Sequence, residues 1–195
     1  RIGEWVELYP EHAPPLSNAR FQLCIQPQMS FGTGHHPTTR LLIELMEGLY
    51  ETQAEVYTDQ QVLDAGCGTG VLGLLALKMG AAHAHLLDID KWAVTNSQEN
   101  AARNHLTAYT VQEGPVEAAP PGPFGLILAN INRNILMENA EVLHQRLQPG
   151  GHLLLSGFRP QDRPELLQHF LNLGFQSVTH LDSPEWSALH LQFPV

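Results

Sequence analysis

Short apolar runs typical of β-strands alternate along this chain with longer segments in which apolar residues recur at the spacing of a helix. The stretch from Leu41 to Leu49 shows the helical spacing, whereas Phe124 to Ala129 is apolar throughout and suits a strand buried on both faces of a sheet. Such alternation is typical of a parallel sheet with helices on both sides. The pattern predicts strands at 61–63, 83–88, 109–112, 124–130 and 152–156, and helices at 38–49, 71–80, 92–105, 135–147 and 163–173.

Two further strand-like runs, at 175–181 and 186–193, close the chain and are joined by a short polar link, which favours an antiparallel hairpin. We therefore expect an α/β fold with a doubly wound, seven-stranded sheet that is mostly parallel and has a C-terminal antiparallel strand. Residues 1–29 are rich in proline around one short strand at 21–26, so we expect a connector arm or linker there and the domain proper at 30–195.

A glycine-rich turn, Asp64-Ala65-Gly66-Cys67-Gly68-Thr69-Gly70, separates the first predicted sheet strand from its helix. Glycines let a backbone turn tightly and approach a ligand, and the following helix offers unpaired N–H groups. The dinucleotide fingerprint would need glycine where Val71 stands, and the Gly-Lys-Ser/Thr of a P-loop is absent from the sequence. The turn instead resembles the first motif of class I S-adenosylmethionine-dependent methyltransferases, which implies S-adenosylmethionine as the cofactor.

Polar side chains end three of the predicted strands, at Asp64, Asp88 and Asn130. In doubly wound sheets, ligands bind at the carboxyl ends of strands, and an acid about twenty residues beyond the first glycine binds ribose hydroxyls. Asp88 has that spacing from Gly66, whereas Asp90 is better placed to cap the next helix. The alternative is that all three residues only cap helices or begin turns.

Composition narrows the choice of partner. The formal net charge of −10 argues against direct nucleic-acid binding and permits a basic protein partner, although eleven histidines would reduce that charge on protonation. Cys24 and Cys67 have no metal-ligand or paired spacing, so we expect no metal and a reduced, cytoplasmic protein, with Cys67 filling space in the turn. No apolar run is long enough to span a membrane.

One stretch is more specific than the generic motifs. The segment Phe31-Gly32-Thr33-Gly34-His35-His36-Pro37-Thr38-Thr39 resembles, except at His35, the signature of the PrmA family. These ribosomal protein methyltransferases trimethylate a large-subunit ribosomal protein on lysines and on its terminal amine. The resemblance is to the catalytic domain only, and it continues through 63–70, 88–90, 129–131, 149–151, 155–157 and 185–186.

The resemblance assigns roles to individual residues. It implies that Thr33 and Thr39 contact the methionine end of the cofactor, that Asp88 holds the ribose, and that Asn130 lies beside the methyl group and the incoming amine. For His36 we favour a structural role, in which it holds the loop to the helix start. No catalytic base is assigned. The predicted cofactor-binding set is Thr33, Thr39, Asp64, Gly66, Gly68, Asp88 and Asn130.

The chain also departs from the family pattern. Residues 132–136 read Asn-Arg-Asn-Ile-Leu where the family has Leu-Ala-x-Pro-Leu, and residues 1–25 resemble only the connector that follows the family's N-terminal recognition domain. The resemblance implies methylation of lysine or terminal amines on a protein substrate, a lysine-rich ribosomal protein. Two alternatives stay open at this point: a small-molecule methyltransferase, and an inactive S-adenosylmethionine-binding module. Val71 disfavours an NAD oxidoreductase, and no feature assigns an oligomeric state.

Overall fold

The computed structural model describes residues 2–26 and 36–195 of the chain. Within those ranges the chain forms nine β-strands and six α-helices. The strands are β1 Val6–Tyr9, β2 Phe21–Cys24, β3 Gln61–Ala65, β4 His83–Asp88, β5 Tyr109–Glu113, β6 Phe124–Asn130, β7 Leu147–Phe158, β8 Gln176–Asp182 and β9 Ser187–Gln192. The helices are α1 Pro37–Thr52, α2 Val71–Lys78, α3 Lys91–Arg103, α4 Arg133–Glu138, α5 Ala140–Arg146 and α6 Arg163–Asn172.

Seven of the strands form one sheet in the order β5-β4-β3-β6-β7-β9-β8. Neighbouring strands from β5 to β7 are parallel, whereas β9 runs antiparallel to both β7 and β8. This confirms the predicted seven-stranded, mostly parallel α/β sheet with its C-terminal antiparallel strand. The chain passes from β3 to β4 and β5 on one side and returns to β6 on the other, which opens a crevice at the carboxyl ends of β3 and β6.

Two apolar clusters cover the two faces of the sheet. Alternate residues of a strand point to opposite faces, so Leu126 and Leu128 belong to the cluster under α1, α2 and α3. Ile127 and Ala129 belong to the cluster under α4, α5 and α6. A strand that contributes to both clusters has to be apolar at every position, and this explains the unbroken apolar run of β6.

The predicted helix at 135–147 is wrong as a single element, because the chain forms α4 and α5 with a break at Asn139. The side-chain amide of Asn139 donates to the carbonyl oxygen of Ile135 at 3.1 Å, a local bond that competes with regular helix geometry. The start of α1 also differs from the sequence pattern, which favours Thr38 as the capping residue. His36 is the capping residue, and Thr38 lies inside the helix and donates its N–H to His36.

The N-terminal segment packs on the domain through hydrogen-bonded carboxylates. Glu47 of α1 is buried and accepts from the backbone N–H groups of Glu4, Trp5 and Val6 at 3.0–3.1 Å. β1 pairs in parallel with β2, which confirms the strand predicted at 21–26, although it ends at Cys24. β1 itself was not predicted, because Glu7 interrupts its apolar pattern; the buried carboxylate of Glu7 is held by nearby backbone N–H groups.

Candidate functional site

The glycine turn joins β3 to α2 and is fixed against the end of β4. Gly66 and Gly68 have φ values of +75° and +53°, in the left-handed region that disfavours residues with a side chain. The N–H groups of Gly66 and Cys67 both donate to the carbonyl oxygen of Leu87, at 2.8 and 3.0 Å. A Cβ atom on Gly66 would lie 2.2 Å from the side chain of Ile131. The absence of a side chain on Gly66 therefore lets Ile131 pack directly against this side of the turn.

Asp88 ends β4 beside the turn. One carboxylate oxygen accepts from the N–H of Gly68 at 2.8 Å, and the other accepts from the N–H of Asp90 at 2.9 Å. Each oxygen keeps a further lone pair with which it can accept a hydroxyl group. Asp90 caps α3 by accepting from the N–H of Trp92 at 2.9 Å, as predicted.

Asn130 ends β6 and is bonded to the start of α1. Its side-chain nitrogen donates to the hydroxyl of Thr39 at 3.1 Å, and Thr39 is fully buried. This bond sets which end of the amide faces α1. His36 lies at the same helix start, with its Nδ1 atom 2.8 Å from the Thr38 hydroxyl and its ring 5.2 Å from the ring of Trp186. It therefore occupies the junction of loop and helix, where its predicted structural role places it.

A cavity of about 440 Å³ lies over the turn, at the carboxyl ends of β3, β4 and β6. This volume is in the usual range for small-molecule sites. One polar wall is formed by five of the seven residues predicted to bind the cofactor: Thr39, Gly66, Gly68, Asp88 and Asn130.

The other two predicted residues do not lie on the described wall. Asp64 is fully buried beneath the turn, where one carboxylate oxygen accepts from the N–H of Gly73 at 2.9 Å. Burial raises the pKa of its carboxyl to about 7, a rise that the bond from Gly73 opposes and the charge of Asp88 reinforces. Thr33 and the rest of the predicted loop at 31–35 lie outside the described residues.

Sequence reasoning missed most of the apolar wall. Ile89, Ile131 and Ile135 line the cavity, and so does the loop at 114–117. Ile89 is 74% exposed although it directly follows a strand. An apolar residue placed next to a strand-end acid was a signal for this wall. Cys67 also lines the cavity, and burial raises the pKa of its thiol, which keeps it neutral.

These residues suit S-adenosylmethionine. The glycine turn allows a close approach, Asp88 offers a carboxylate to hydroxyl groups, and the isoleucine wall accommodates an uncharged ring. Within residues 2–26 and 36–195, no group of three or more His, Cys, Asp or Glu side chains is placed to hold a metal ion. Over the same ranges, no helix has both the length and the apolar character needed to cross a bilayer.

The strand order, the glycine turn and the acid ending the next strand together define a class I methyltransferase fold. The ribosomal protein L11 methylase of Lactobacillus delbrueckii subsp. bulgaricus shares this fold with a TM-score of 0.87 and 26% identity, over 100% of this chain and 98% of that one. The chain belongs to the PrmA family, because the family model described as ribosomal protein L11 methyltransferase matches residues 1–194.

Curated relatives agree with this membership. The ribosomal protein L11 methyltransferase of Bacteroides fragilis is 36% identical over 190 residues, which is 96% of this chain. The Porphyromonas gingivalis protein of the same name is 41% identical over 169 residues, or 86% of this chain. The aligned part of this chain spans 65% of the length of the first relative and 56% of the second.

Proposed function

We propose that this protein transfers methyl groups from S-adenosylmethionine to amines of a protein substrate, namely lysine side chains or the terminal amine of a ribosomal protein of the L11 type. The observation that carries the proposal is the cavity, whose wall brings together the glycine turn, Asp88 and Asn130. Membership of a family of ribosomal protein L11 methyltransferases supports the choice of acceptor.

The chain's own residues divide the work of binding. Asp88 would accept hydrogen bonds from the ribose hydroxyls, and Gly66 and Gly68 would let the cofactor lie against the backbone. Thr39 and Asn130 would face the amino-acid end and the methyl group. When bound, S-adenosylmethionine supplies a methyl carbon that its sulfonium has already activated, so the protein mainly has to align the acceptor.

The acceptor amine has to be neutral before it can react. A lysine with its ordinary pKa near 10.4 loses its proton at pH 7 at a cost of roughly 4.6 kcal/mol. An apolar wall such as that of Ile131 and Ile135 disfavours the charged form, as does the positive charge of the cofactor. We therefore assign Asn130 the task of positioning the amine and assign no general base.

The segment that departs from the family pattern has structural contacts of its own. The Asn132 side chain caps α4 by accepting from the N–H of Ile135 at 3.1 Å. Arg133 forms an ion pair with Glu165 of α6 at 2.5 Å. Asn132 and Ile135 also line the cavity, so this segment can shape the part of the cavity that the acceptor enters. The departure from the family pattern does not disrupt the start of α4, because Asn132 caps that helix.

The test combines cofactor binding with methyl transfer. Calorimetry with S-adenosylmethionine and labelling of ribosomal protein L11 by methyl-labelled cofactor are compared for the unaltered chain, Asn130→Ala and Asn172→Ala. The first variant is expected to transfer methyl groups about a hundredfold more slowly because the acceptor is misaligned. Asn172, exposed at the end of α6, serves as the matched control and should be neutral.

Absence of S-adenosylmethionine binding by the unaltered chain would contradict the proposal outright. Binding without label on any ribosomal protein would instead favour a small-molecule acceptor or an inactive binding module. Because the aligned relatives are longer than this chain, the same labelling is repeated with the Bacteroides fragilis relative as the positive control.

A further inference from the structure

Three buried asparagines follow one another along one face of α3, the third of them at the cap that ends the helix. Asn96, Asn100 and Asn104 are spaced by four residues, and each is at most 6% exposed. A buried amide side chain has to find hydrogen-bond partners for its oxygen and its nitrogen. The side-chain amide of each asparagine therefore offers an acceptor and a donor to a neighbouring backbone, as the peptide groups of a β-strand do.

These asparagine side chains bond to the backbone at the end of the N-terminal segment, at Cys24 and Gln26. The amide of Asn104 accepts from the N–H of Cys24 and donates to its carbonyl oxygen, both at 2.8 Å. The oxygen of Asn100 accepts from the N–H of Gln26 at 3.0 Å, and the nitrogen of Asn96 donates to the carbonyl oxygen of Gln26 at 2.9 Å. Three side chains thus hold residues 24–26 against α3 in place of a neighbouring strand.

Asn100 differs from the other two because its nitrogen bonds elsewhere. It donates to the carbonyl oxygen of Thr69, inside the glycine turn, at 3.0 Å. The bonds already described for the turn, from Gly66, Cys67 and Gly68, lead to the end of β4. Asn100 thus supports the opposite, α3 side of the turn, and it does so with the same amide that holds Gln26.

α3 also contacts the turn by packing. A Cβ atom on Gly70, where φ is +79°, would lie 3.0 Å from Cβ of Ser97. The turn is therefore tightly packed against α3, and a change in the position of the Thr69 carbonyl group would be transmitted to the neighbouring N–H groups.

We propose that Asn100 is a positioning residue that couples the seating of residues 24–26 to the shape of the glycine turn, and so to the affinity for S-adenosylmethionine. The inference rests on the proposed function for its ligand. It goes beyond that function by assigning a role to a residue that does not line the cavity and that no sequence motif singled out. Coupling of this kind is reciprocal, so the ligand should also stabilise the seating of residues 24–26.

Three variants separate the two halves of this role. Asn100→Ala removes both bonds, whereas Asn100→Asp keeps the acceptor for Gln26 and loses the donor to Thr69. The negative charge of that aspartate would be compensated by Arg103, whose Nη1 atom lies 3.3 Å from the Asn100 oxygen. Asn104→Ala is the matched control, since it removes a similarly buried pair of bonds to Cys24 and leaves intact the two bonds by which Asn100 joins Gln26 to the turn.

Calorimetry measures the S-adenosylmethionine affinity, and amide hydrogen exchange is followed at 20–26 and 66–70 with and without that ligand. Both Asn100 variants should bind about fivefold more weakly, the effect of one lost hydrogen bond. Asn104→Ala should change the affinity by less than about twofold while lowering the melting temperature. In the unaltered chain the ligand should slow exchange at 20–26, and in Asn100→Ala this protection should disappear.

A purely structural role for Asn100 would lower the melting temperature and leave the affinity and the ligand-dependent protection unchanged, and that result would overturn the inference. If Asn100→Ala does not fold, Asn100→Asp provides the test by itself. The inference then requires a weaker S-adenosylmethionine affinity in a variant whose amide exchange at 20–26 is unchanged. Failure of the unaltered chain to bind S-adenosylmethionine would instead refute the proposed cofactor, and this inference with it.

Discussion

At the scale of single residues, the site depends on side chains that serve the backbone and face the cavity at once. Asp88 is the clearest case, because it holds the N–H groups of Gly68 and Asp90 while lining the cavity. A substitution there therefore acts in two ways. It removes the carboxylate from the proposed ribose contact, and it releases the glycine turn from the end of β4.

Asp88→Ala is expected to weaken S-adenosylmethionine binding by at least about tenfold, because the lost carboxylate would have accepted from the ribose hydroxyls. Asp90→Ala is the control. It removes only the cap of α3, at a cost of about 1 kcal/mol in stability, and should bind the cofactor normally. Calorimetry measures the S-adenosylmethionine affinity of both variants at a temperature at which both are folded. An unchanged affinity in Asp88→Ala would refute the ribose assignment.

The residue scale also shows what a motif can predict. The pattern predicts a site at Gly66, Gly68, Asp88 and Asn130, because glycines and strand-end polar groups converge at one edge of a parallel sheet. The cavity lies at that edge. The same pattern predicts Asp64, yet Asp64 is buried under the turn. A motif records which residues the turn needs, and it does not separate those that face the ligand from those that support the turn. Their role in binding stays a prediction.

At the scale of elements, one glycine links β7 to the cavity. Gly157 lies in the irregular end of β7 with φ at +99°, and a Cβ atom there would be 2.2 Å from the carbonyl oxygen of Ile131. Ile131 in turn lines the cavity. Because the conflict is with backbone, no side-chain rearrangement can relieve it, so this strand end has to remain free of a side chain.

Gly157→Ala should lower the free energy of unfolding by about 3 kcal/mol, through a strained φ and a displaced Ile131. Gly48→Ala is the matched substitution: Gly48 is exposed inside α1, and nothing lies within 4 Å of an added Cβ atom. That change should raise the free energy of unfolding by about 1 kcal/mol. Chemical denaturation measures both, and equal effects of the two changes would show that the backbone contact is unimportant.

Element boundaries were predicted well where apolar periodicity determined them and poorly where side chains bonded to the backbone. β4 and β6 have the predicted limits. The break between α4 and α5 comes from the amide of Asn139, and the start of α1 comes from the imidazole of His36. Both are local hydrogen bonds that leave no trace in the hydrophobic pattern. The order of the strands in the sheet cannot be predicted from periodicity either, because periodicity shows which residues are buried and does not show which strands pair.

At the scale of the whole molecule, a histidine pair links stability to pH. His152 on β7 and His190 on β9 are buried, with Nδ1 of the first 2.8 Å from Nε2 of the second. Burial lowers the pKa of both, that of His190 to about 4, with the neighbouring ring contributing to the second. In the unfolded chain the pKa of a histidine is near 6.5. The pair is therefore neutral when folded and binds protons more readily when unfolded.

The sign follows directly. The contribution of this pair to stability is fully present above about pH 6.5 and is lost as the pH falls towards 4, by up to roughly 3 kcal/mol. His190→Gln, which keeps hydrogen-bonding groups but cannot titrate in this range, should reduce that loss. His12→Gln, at an exposed position, should leave it unchanged. Denaturation curves at pH 7, 5.5 and 4.5 measure the effect, and an identical loss in both variants would assign it to other groups.

The position of β3 has a consequence for the order in which the protein is made. β3 is an inner strand of the sheet, but its two neighbours, β4 and β6, both follow it in the chain. On the ribosome, the glycine turn emerges long before Asn130, which completes the cavity wall from β6. A nascent chain therefore cannot form the whole pocket until β6 has been translated. Cofactor capture would then report that the central part of the sheet has been completed.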